Sequence, residues 1–494
     1  MTHEPKPQSG HGRRGTKAFL MASGVAQLCA LARYTVLARI LGPEQLGLAA
    51  ILILTAQFFE SVTDSGSDRF LVQDRGGDDP ALMNLVHLIS FGRGLLIAVG
   101  LILLAGPISR LSGAPQLAPE MAILAISSLI MGFVHWDFRR QQRSSDFRGE
   151  GNIIMYAEIG SLIATTVAVL IVRDFTAILY GLIARSLVTV VVSHIIAQRR
   201  YAMGYARPYA PRLARFAWPL IINGLLIFIG GQGDRIFISN QLGVAELGHY
   251  SAVALLIFYP SGMLARFMAT AYLPRISARH SDPAAWDRAS RAFASQTVLI
   301  GIAMQFGFVL VAPFAVPILY GTRFEIGLLP IALIAILQTI RFIRTWPGTA
   351  AIGAGLSHIV MINNIVRMIA FPAAIAGLAL LGGMEGIISG FIFAECLAFM
   401  VGLVMVNRAL GRPLMHGGSR FLYFASGAML LLLTIQFFGQ NWWNATGLTA
   451  AALVIWAVLL VRSEWEALMK ALALLDGATG HRIVPSWILR NTGE

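Results

Sequence analysis

Charged residues are scarce in this sequence. Asp, Glu, Lys and Arg make up 13% of the 494 residues, while hydrophobic residues make up 56%. Because a typical soluble protein carries about 25% charged residues, a soluble chain of this composition could not cover its surface with polar groups. We therefore predict an integral membrane protein. The net charge of +13 does not alter this prediction, since no segment forms a soluble domain that could use it, and we expect no nucleic-acid partner.

Cysteine and lysine are scarcer still. The two cysteines, Cys29 and Cys396, lie inside apolar runs, so they exclude a disulfide framework and a cysteine-based metal site. Only three lysines occur and none follows a glycine, which excludes the GxxxxGK loop of P-loop nucleotide hydrolases. We expect neither a metal nor a cofactor, and no ATP hydrolysis by the chain itself.

Fourteen segments are long and apolar enough to cross the hydrocarbon core of a bilayer, which takes about 20 residues of helix. Backbone groups in lipid must be satisfied within the segment, so we predict helices throughout and an all-α polytopic membrane protein. The predicted spans are 18–40, 45–63, 82–108, 118–136, 152–172, 175–197, 215–239, 243–264, 292–319, 326–345, 357–380, 384–407, 420–438 and 445–462.

The distribution of arginine among the connections predicts the orientation. With an N-terminal tail at 1–17 in the cytoplasm, the connections on that side include "FRRQQRSSDFR" and "QRRYAMGYARPYAPRLAR", while each outside turn carries about one arginine. An error of one span would scramble this asymmetry. We therefore predict that both termini are cytoplasmic, with a C-terminal tail at 463–494 that begins with an amphipathic surface helix.

A short motif occurs twice: "LGPEQLG" at 41–47 and "LGVAELG" at 242–248. The leucines and glycines match in register, and six predicted spans separate the copies. Because six is even, the two halves cross the membrane in the same sense, as expected for repeats related by a pseudo-two-fold axis along the membrane normal. We predict six-helix lobes at 18–200 and 215–409, a cytoplasmic linker at 201–214, a central cavity between the lobes, and two extra helices at 420–462.

Three stretches carry a family resemblance: "LARILGPEQLGLAAILIL", "DSGSDRFLVQ" and "GDRIFISNQLGVAELGHYSAVALLIFYP". They resemble polysaccharide-transport proteins, the Wzx-type oligosaccharide flippases of the multidrug/oligosaccharidyl-lipid/polysaccharide exporter superfamily. The resemblance implies fourteen helices, a cationic lumen, and movement of a polyprenyl-pyrophosphate-linked sugar unit from the inner to the outer leaflet of a bacterial cytoplasmic membrane. One loop departs from that pattern, because residues 64–79 are unusually rich in aspartate.

Arginines inside the predicted spans are the main candidates for substrate contact. A charge at the bilayer centre costs roughly 2.5–3.5 kcal/mol on insertion scales, so such a residue must face a partner or a wet cavity. Each arginine could pair with a carboxylate between helices, or bind a diphosphate in the lumen through its planar, permanently charged guanidinium. With their polar neighbours, the candidates for substrate binding are Arg33, Arg93, Arg185, Arg367, Asn363, Asn364 and Gln27.

Acidic residues inside the spans suggest two further roles. Glu158 and Glu395 are candidates for proton or sodium coupling, because burial favours the neutral carboxyl and a cavity that floods and dries could exchange its proton; a structural pair with arginine is the alternative. Asp234 aligns with Arg33 under the repeat offset, so the two could form an outer gate, unless Asp234 pairs locally with Arg235. We expect His87 to be a hydrogen-bonded core residue rather than a proton carrier.

Two other functions stay open. A cation-coupled multidrug exporter of the same superfamily would hold cationic drugs with buried carboxylates, which the membrane arginines disfavour. A membrane-embedded sugar polymerase or ligase would need a large outside loop with catalytic basic residues, and every outside connection here is short. For a flippase, the expected partners are a lipid-linked oligosaccharide and membrane lipids, with a polysaccharide polymerase and a chain-length regulator as further family expectations.

Overall fold

The computed structural model describes residues 10–144, 146–278, 282–412 and 418–438. Within these ranges the chain forms helices and turns, and no strand occurs there. The helices are α1 (Gly10–Leu41), α2 (Pro43–Val62), α3 (Ser67–Gln73), α4 (Pro80–Leu111), α5 (Ala118–Met131), α6 (Asp137–Gln142), α7 (Arg148–Val172), α8 (Ala177–Ile196), α9 (Ala210–Leu242), α10 (Val244–Ala278), α11 (Pro283–Tyr320), α12 (Leu328–Ile343), α13 (Thr345–Gly353), α14 (Ser357–Val366), α15 (Ala370–Leu381), α16 (Gly383–Ala409) and α17 (Gly418–Phe438).

The predicted all-α polytopic fold is confirmed. Eleven helical stretches of the described chain are long and apolar enough to cross a membrane, and the shorter apolar helices Pro115–Met131 and Arg420–Gln436 accompany them. These match thirteen of the predicted spans in order. The fourteenth predicted span at 445–462 and the predicted tail at 463–494 lie outside the described residues. The protein is a multi-pass membrane protein.

Several helix ends differ from the prediction. Helix α1 begins at Gly10 rather than at residue 18, and α5 ends at Met131 rather than at residue 136. Helices α10 and α11 run past the apolar segment, to Ala278 and from Pro283, because polar residues at a helix end continue the hydrogen-bond ladder in water as well as in lipid. The hydrophobic pattern therefore located the part of each helix in lipid better than its ends.

Two predicted spans are broken by proline. Helix α12 ends at Ile343, and α13 starts at Thr345. Pro347 has no backbone N–H to donate to the carbonyl of Ile343, so the helix is interrupted there. Helices α14 and α15 are joined by a 3-10 turn at Arg367–Ile369, just before Pro372. The tighter turn accommodates the missing N–H and the ring of this proline. Arg367 therefore lies at a distortion rather than in a regular helix.

The chain divides into two compact units. Unit 1 comprises Met1–Ala252 and Leu319–Phe324, and unit 2 comprises Val253–Ile318 and Glu325–Glu494. Helix α9 belongs to unit 1 because its first turns share a buried apolar core with α3, α4 and the preceding loop. That core contains Phe70, Leu71, Leu82, Met83, Leu85, Val86, Ala206, Leu213 and Ala217. The predicted lobes at 18–200 and 215–409 follow the sequence repeat instead, and they stay a prediction.

The two copies of the repeated motif adopt the same turn. Gly42 has φ 86° and ψ 178° between α1 and α2, and Gly243 has φ 95° and ψ 173° between α9 and α10. A positive φ at these positions favours glycine, since a side chain would clash with the backbone. In both copies the glycine carbonyl accepts from the residue four positions later, Leu46 at 3.1 Å and Leu247 at 3.2 Å.

The two turns also pack against each other reciprocally. Gly47 lies against the backbone carbonyl of Val244, and Gly248 lies against the backbone carbonyl of Pro43. The second glycine of each copy therefore touches the first residue of the helix that begins within the other copy. This exchange of equivalent contacts relates the two turns by a local two-fold axis, as the register of the repeat predicts.

We expect Gly47→Ala to destabilise the protein, because the added methyl group would collide with a backbone oxygen that has little room to shift. Overpacking of this kind costs about 1–3 kcal/mol. Thermal unfolding of the detergent-solubilised protein measures the effect. The control is Gly106→Ala in α4, where the space around the new methyl group is open. Equal melting temperatures for the two variants would contradict the close contact.

Candidate functional site

In unit 1, one buried carboxylate binds two of the predicted arginines. Glu158 on α7 accepts from Arg33 of α1, with 3.0 Å between Oε2 and Nη1, and from Arg185 of α8, with 2.8 Å between Oε1 and Nε. Arg33 also donates to the hydroxyl of Ser161, which in turn donates to the carbonyl of Gly181 at 2.8 Å. This set, the Glu158 cluster (Arg33, Glu158 and Arg185), joins three helices and carries two positive charges against one negative.

The two arginines of this cluster differ in exposure. The side chain of Arg33 is 7% exposed, whereas that of Arg185 is 45% exposed. Arg33 is therefore enclosed by protein, while Arg185 presents part of its guanidinium outward. Glu158 fixes the orientation of Arg185 through the short contact at Nε, so the exposed part of that side chain has a defined direction.

Arg93 on α4 anchors the end of α2. Its Nε donates to the hydroxyl of Thr63 at 2.9 Å, and its Nη2 donates to the backbone carbonyl of Glu60 at 2.7 Å. Carbonyls in the last turn of a helix lack intrahelical partners, and an arginine satisfies one of them while its charge complements the helix dipole. These two contacts tie α4 to the end of α2.

Arg93 and Arg185 line one cavity of about 250 Å³ within unit 1. Its walls come from α2, α4, α5, the turn that follows α5, α7 and α8. Pockets for drug-sized ligands hold about 300–1,000 Å³, so this cavity suits one sugar ring or a phosphate group rather than a whole oligosaccharide. The polar part of its lining includes Glu60, Ser90, Arg93, Ser127, Arg185, Ser186 and Thr189.

Unit 2 contains a second buried carboxylate with three arginines. Glu395 on α16 accepts from Arg367 at 2.6 Å and from Arg341 of α12 at 3.1 Å, and it forms an ion pair with Arg344 at the α12–α13 junction at 3.2 Å. The carboxylate is 3% exposed, and the three guanidiniums are mostly enclosed. This set is the Glu395 cluster (Arg341, Arg344, Arg367 and Glu395), and it holds three positive charges against one negative.

Arg341 and Arg344 were not among the residues predicted from the sequence. They lie three residues apart in the last turn of a predicted span, where long side chains can reach the membrane interface and so raise no demand for a partner. The available signal was Glu395, because a carboxylate in the middle of a strongly apolar helix needs a cation on a neighbouring helix.

The predicted amide residues lie outside the cavity of unit 1. Asn363 and Asn364 are both 3% exposed on α14, on the same face as Arg367, so this polar face is buried in protein as expected. The amide of Asn363 packs where Gly402 of α16 has no side chain. Gln27 is half-buried on α1, and its Oε1 has no hydrogen-bond partner among the described residues. A role in substrate binding stays a prediction for all three.

The gate and coupling residues have other partners in this conformation. Asp234 is 1% exposed and accepts from the hydroxyl of Tyr250 at 2.5 Å and from the backbone N–H of Arg235 at 3.0 Å. Arg33 is bound in the Glu158 cluster. Since a gate changes partners as it moves, the Arg33–Asp234 gate stays a prediction, as does ion coupling by Glu158 and Glu395.

His87 is the hydrogen-bonded core residue that the sequence suggested. The residue is fully buried, its Nδ1 lies 2.9 Å from the carbonyl of Ala202, and its Nε2 lies 3.3 Å from the backbone nitrogen of Trp136. Both ring nitrogens are therefore in use within unit 1.

Comparison with protein families places this geometry in context. A family model described as "Polysaccharide biosynthesis protein" matches residues 36–326, more than half of the chain. The chain belongs to the polysaccharide biosynthesis protein family. Within this family, the chain is similar to the succinoglycan biosynthesis transport protein ExoT of Rhizobium meliloti (strain 1021), with 25% identity over 475 residues that cover 90% of this chain and 91% of that protein.

The chain is also similar to the lipopolysaccharide biosynthesis protein WzxC of Escherichia coli (strain K12). It is 20% identical over 401 residues, which cover 80% of this chain and 81% of that protein. The predicted resemblance to polysaccharide-transport proteins is thereby confirmed.

Solved structures show the fold of this family member. The lipid II flippase MurJ in an inward closed conformation has a TM-score of 0.66 at 15% identity, covering 90% of this chain and 99% of that chain. An inward-facing multidrug resistance MATE family transporter of the MOP superfamily has a TM-score of 0.64 at 15% identity, covering 78% of this chain and 94% of that chain. At this identity the likeness concerns the fold alone.

We expect Glu395→Gln to destabilise the protein strongly, because it leaves three enclosed arginines without their counter-charge. Removing one partner of a buried ion pair costs about 3–5 kcal/mol. The melting temperature and the folded yield after solubilisation measure the loss. Glu385→Gln, at the start of the same helix and outside the cluster, is the matched control. Similar yields and melting temperatures for the two variants would show that Glu395 does not stabilise unit 2.

Proposed function

We propose that this protein moves a polyprenyl-pyrophosphate-linked oligosaccharide from the cytoplasmic to the periplasmic leaflet of a bacterial inner membrane by alternating access. The observation that supports this most is the cavity lined by Arg93 and Arg185, inside a multi-pass protein of the polysaccharide biosynthesis family. The names of ExoT, WzxC and MurJ, which refer to transport, lipopolysaccharide biosynthesis and lipid II flipping, support the same class of cargo.

The cavity has the chemistry that the head of such a lipid requires. A pyrophosphate carries negative charge and acceptor oxygens, and a guanidinium binds phosphate oxygens with parallel hydrogen bonds while keeping its charge at any physiological pH. Hydroxyl groups from Ser90, Ser127, Ser186 and Thr189 can exchange hydrogen bonds with sugar hydroxyls. The polyprenyl chain would stay in lipid, since moving it into a polar cavity would expose apolar surface.

The remaining predicted arginines receive a different role in this proposal. Arg33 holds Glu158, and Glu158 orients Arg185 toward the cavity. Arg367 stabilises unit 2 through Glu395. Arg33 and Arg367 are therefore positioning and stabilising residues, while Arg93 and Arg185 contact the anionic head.

The cavity argues against the cation-coupled drug exporter. Its lining contains two arginines and one glutamate, so a cationic drug would meet more positive than negative charge. A polymerase or ligase is less favoured because such an enzyme would need a large outside loop, and every predicted outside connection of this sequence is short. We also propose that both termini are cytoplasmic and that transport is coupled to protons or sodium. The protein would work beside a polysaccharide polymerase and a chain-length regulator.

We expect Arg93→Gln and Arg185→Gln to reduce leaflet exchange of a labelled lipid-linked oligosaccharide in reconstituted vesicles by at least about tenfold each, because a hydrogen bond to a charged group contributes about 1.5–3 kcal/mol. The control is Arg110→Gln, an exposed arginine in the last turn of α4 that lies outside the cavity. Each variant is first checked for its melting temperature, so that loss of folding is separated from loss of transport.

Two outcomes would contradict this proposal in different ways. Leaflet exchange by the wild-type protein no faster than in empty vesicles would remove the flippase function itself. Wild-type exchange that persists in both cavity variants would leave the function standing and remove Arg93 and Arg185 from the binding site.

A further inference from the structure

Residues 197–209 join α8 to α9 and lie against the rest of unit 1 without forming a helix. We call this segment the strap. It contains most of the predicted linker between the two sequence repeats. The backbone N–H of Gln198 donates to Asp137 Oδ2 at 2.9 Å, and the backbone N–H of Gly204 donates to the carbonyl of Asn84 at 3.2 Å. Backbone carbonyls of the strap meet two histidines.

The contacts of His87 define one protonation state. A carbonyl can only accept, so Nδ1 must carry the proton that it donates to Ala202 O at 2.9 Å. The backbone N–H of Trp136 points at Nε2, 3.3 Å away, so Nε2 must accept. His87 is therefore neutral with its proton on Nδ1. A second proton on Nε2 would face another donor and break the bond to Trp136.

His135 shows the complementary arrangement. Its Nε2 donates to the carbonyl of Arg199 in the strap at 2.9 Å, and its Nδ1 accepts from the backbone N–H of Asp137 at 3.2 Å. It is neutral with its proton on Nε2, and a second proton on Nδ1 would oppose the N–H of Asp137. Burial lowers the pKa of His135 below its ordinary value, in agreement with this geometry.

The two histidines belong to a ring cluster that the strap completes. Tyr201 of the strap stacks on His87 with ring centroids 4.3 Å apart, and His135 meets His87 edge to face at 4.8 Å. His194 of α8 lies 5.3 Å from His135 and 5.0 Å from Tyr201. Two imidazolium rings at these distances would repel each other, so protonation weakens the cluster as well as its hydrogen bonds.

Asp137 is the charged group that faces the histidines. Burial alone would raise the pKa of Asp137, but hydrogen bonds from Arg140 and from the Gln198 N–H outweigh it and lower that pKa. His194 donates to the carbonyl of Phe133 at 3.0 Å through Nε2. Asp137 therefore stays ionised in mild acid, and His87 and His135 are the groups whose neutral form the contacts of the strap require.

The far end of the strap is held by the aspartate-rich loop at 64–79. The hydroxyl of Tyr209 donates to Asp79 at 2.7 Å, and Arg212 in the first turn of α9 pairs with Asp74. Near the start of the strap, Arg199 also donates to the carbonyl of Asp78 at 2.8 Å. The hydrogen bond from Tyr209 lowers the pKa of Asp79, so this carboxylate also stays ionised in mild acid. The loop that departs from the family pattern thus fastens the start of α9.

We propose that the strap is a proton-released clasp, which is closed while His87 and His135 are neutral and which opens along residues 198–204 when they take up protons. The anchors at Asp74 and Asp79 keep α9 in place, so the release is local. The folded pKa of His135 is lowered, so its contribution to closure is complete above the ordinary histidine range of about 6.5 and is lost as the pH falls through the folded value.

Release of the strap would therefore loosen the segment that precedes α9, while α9 itself stays fastened to the aspartate-rich loop.

Amide hydrogen exchange of the full-length protein in lipid nanodiscs tests the clasp without any substrate. Protection is the exchange rate relative to that of an unstructured peptide at the same pH. Between about pH 7.5 and about pH 5, we expect the protection of Gln198 and Gly204 to fall at least about tenfold, while that of α7 is unchanged. Unchanged protection of these strap amides in the wild type would overturn the proposal.

A double variant identifies the titrating groups. In His87→Asn with His135→Gln, the amide nitrogens replace the donating Nδ1 and Nε2 but cannot take up a proton, so we expect the strap to stay protected at both pH values. His249→Gln, a histidine that contacts the carbonyl of Arg323 instead, should respond as the wild type does. A fall in protection that persists in the double variant would exclude the histidines as the switch. Should the double variant not fold, a fall of undiminished size in both single variants would exclude them.

Discussion

In each unit of this protein, the packing of several helices depends on one buried carboxylate that pairs with more than one arginine. A charge in the apolar interior of a membrane protein needs a partner of opposite sign, because no water is present to solvate it. Glu158 satisfies Arg33 and Arg185, and Glu395 satisfies Arg341, Arg344 and Arg367. Since arginines outnumber carboxylates in both clusters, the interior keeps positive charge, and in unit 1 that charge borders the cavity.

The same carboxylates explain how an arginine can be both structural and functional. Glu158 uses one oxygen for the enclosed Arg33 and the other for the half-exposed Arg185. The first contact ties α1 to α7, and the second aims a guanidinium at a polar cavity. A ligand that binds there meets a cation whose orientation is already set, which lowers the entropy lost on binding. In the proposed function, stability and recognition therefore both depend on Glu158.

The sequence predicted the helices and the repeat, because both follow from patterns along the chain. Apolar runs located thirteen spans in the described part, and the register of the two motifs predicted equivalent turns. The cavity could not be predicted this way, since Arg93 and Arg185 come from α4 and α8 and meet only through packing. Arg341 was missed because it lies near the end of a predicted span, where the sequence does not show whether a long side chain points into the protein or toward the membrane surface. The aspartates of residues 64–79 were noticed, but their partners at Tyr209 and Arg212 lie too far along the chain for any local pattern to pair them.

The reciprocal contact at the repeated turns has a consequence for both copies of the motif. Gly47 touches the helix that begins within the second motif, and Gly248 touches the helix that begins within the first. A half-length chain with one motif would make this contact twice between identical copies, as an isologous dimer does. In the present chain, a larger side chain at either glycine would therefore displace the motif that carries the other one.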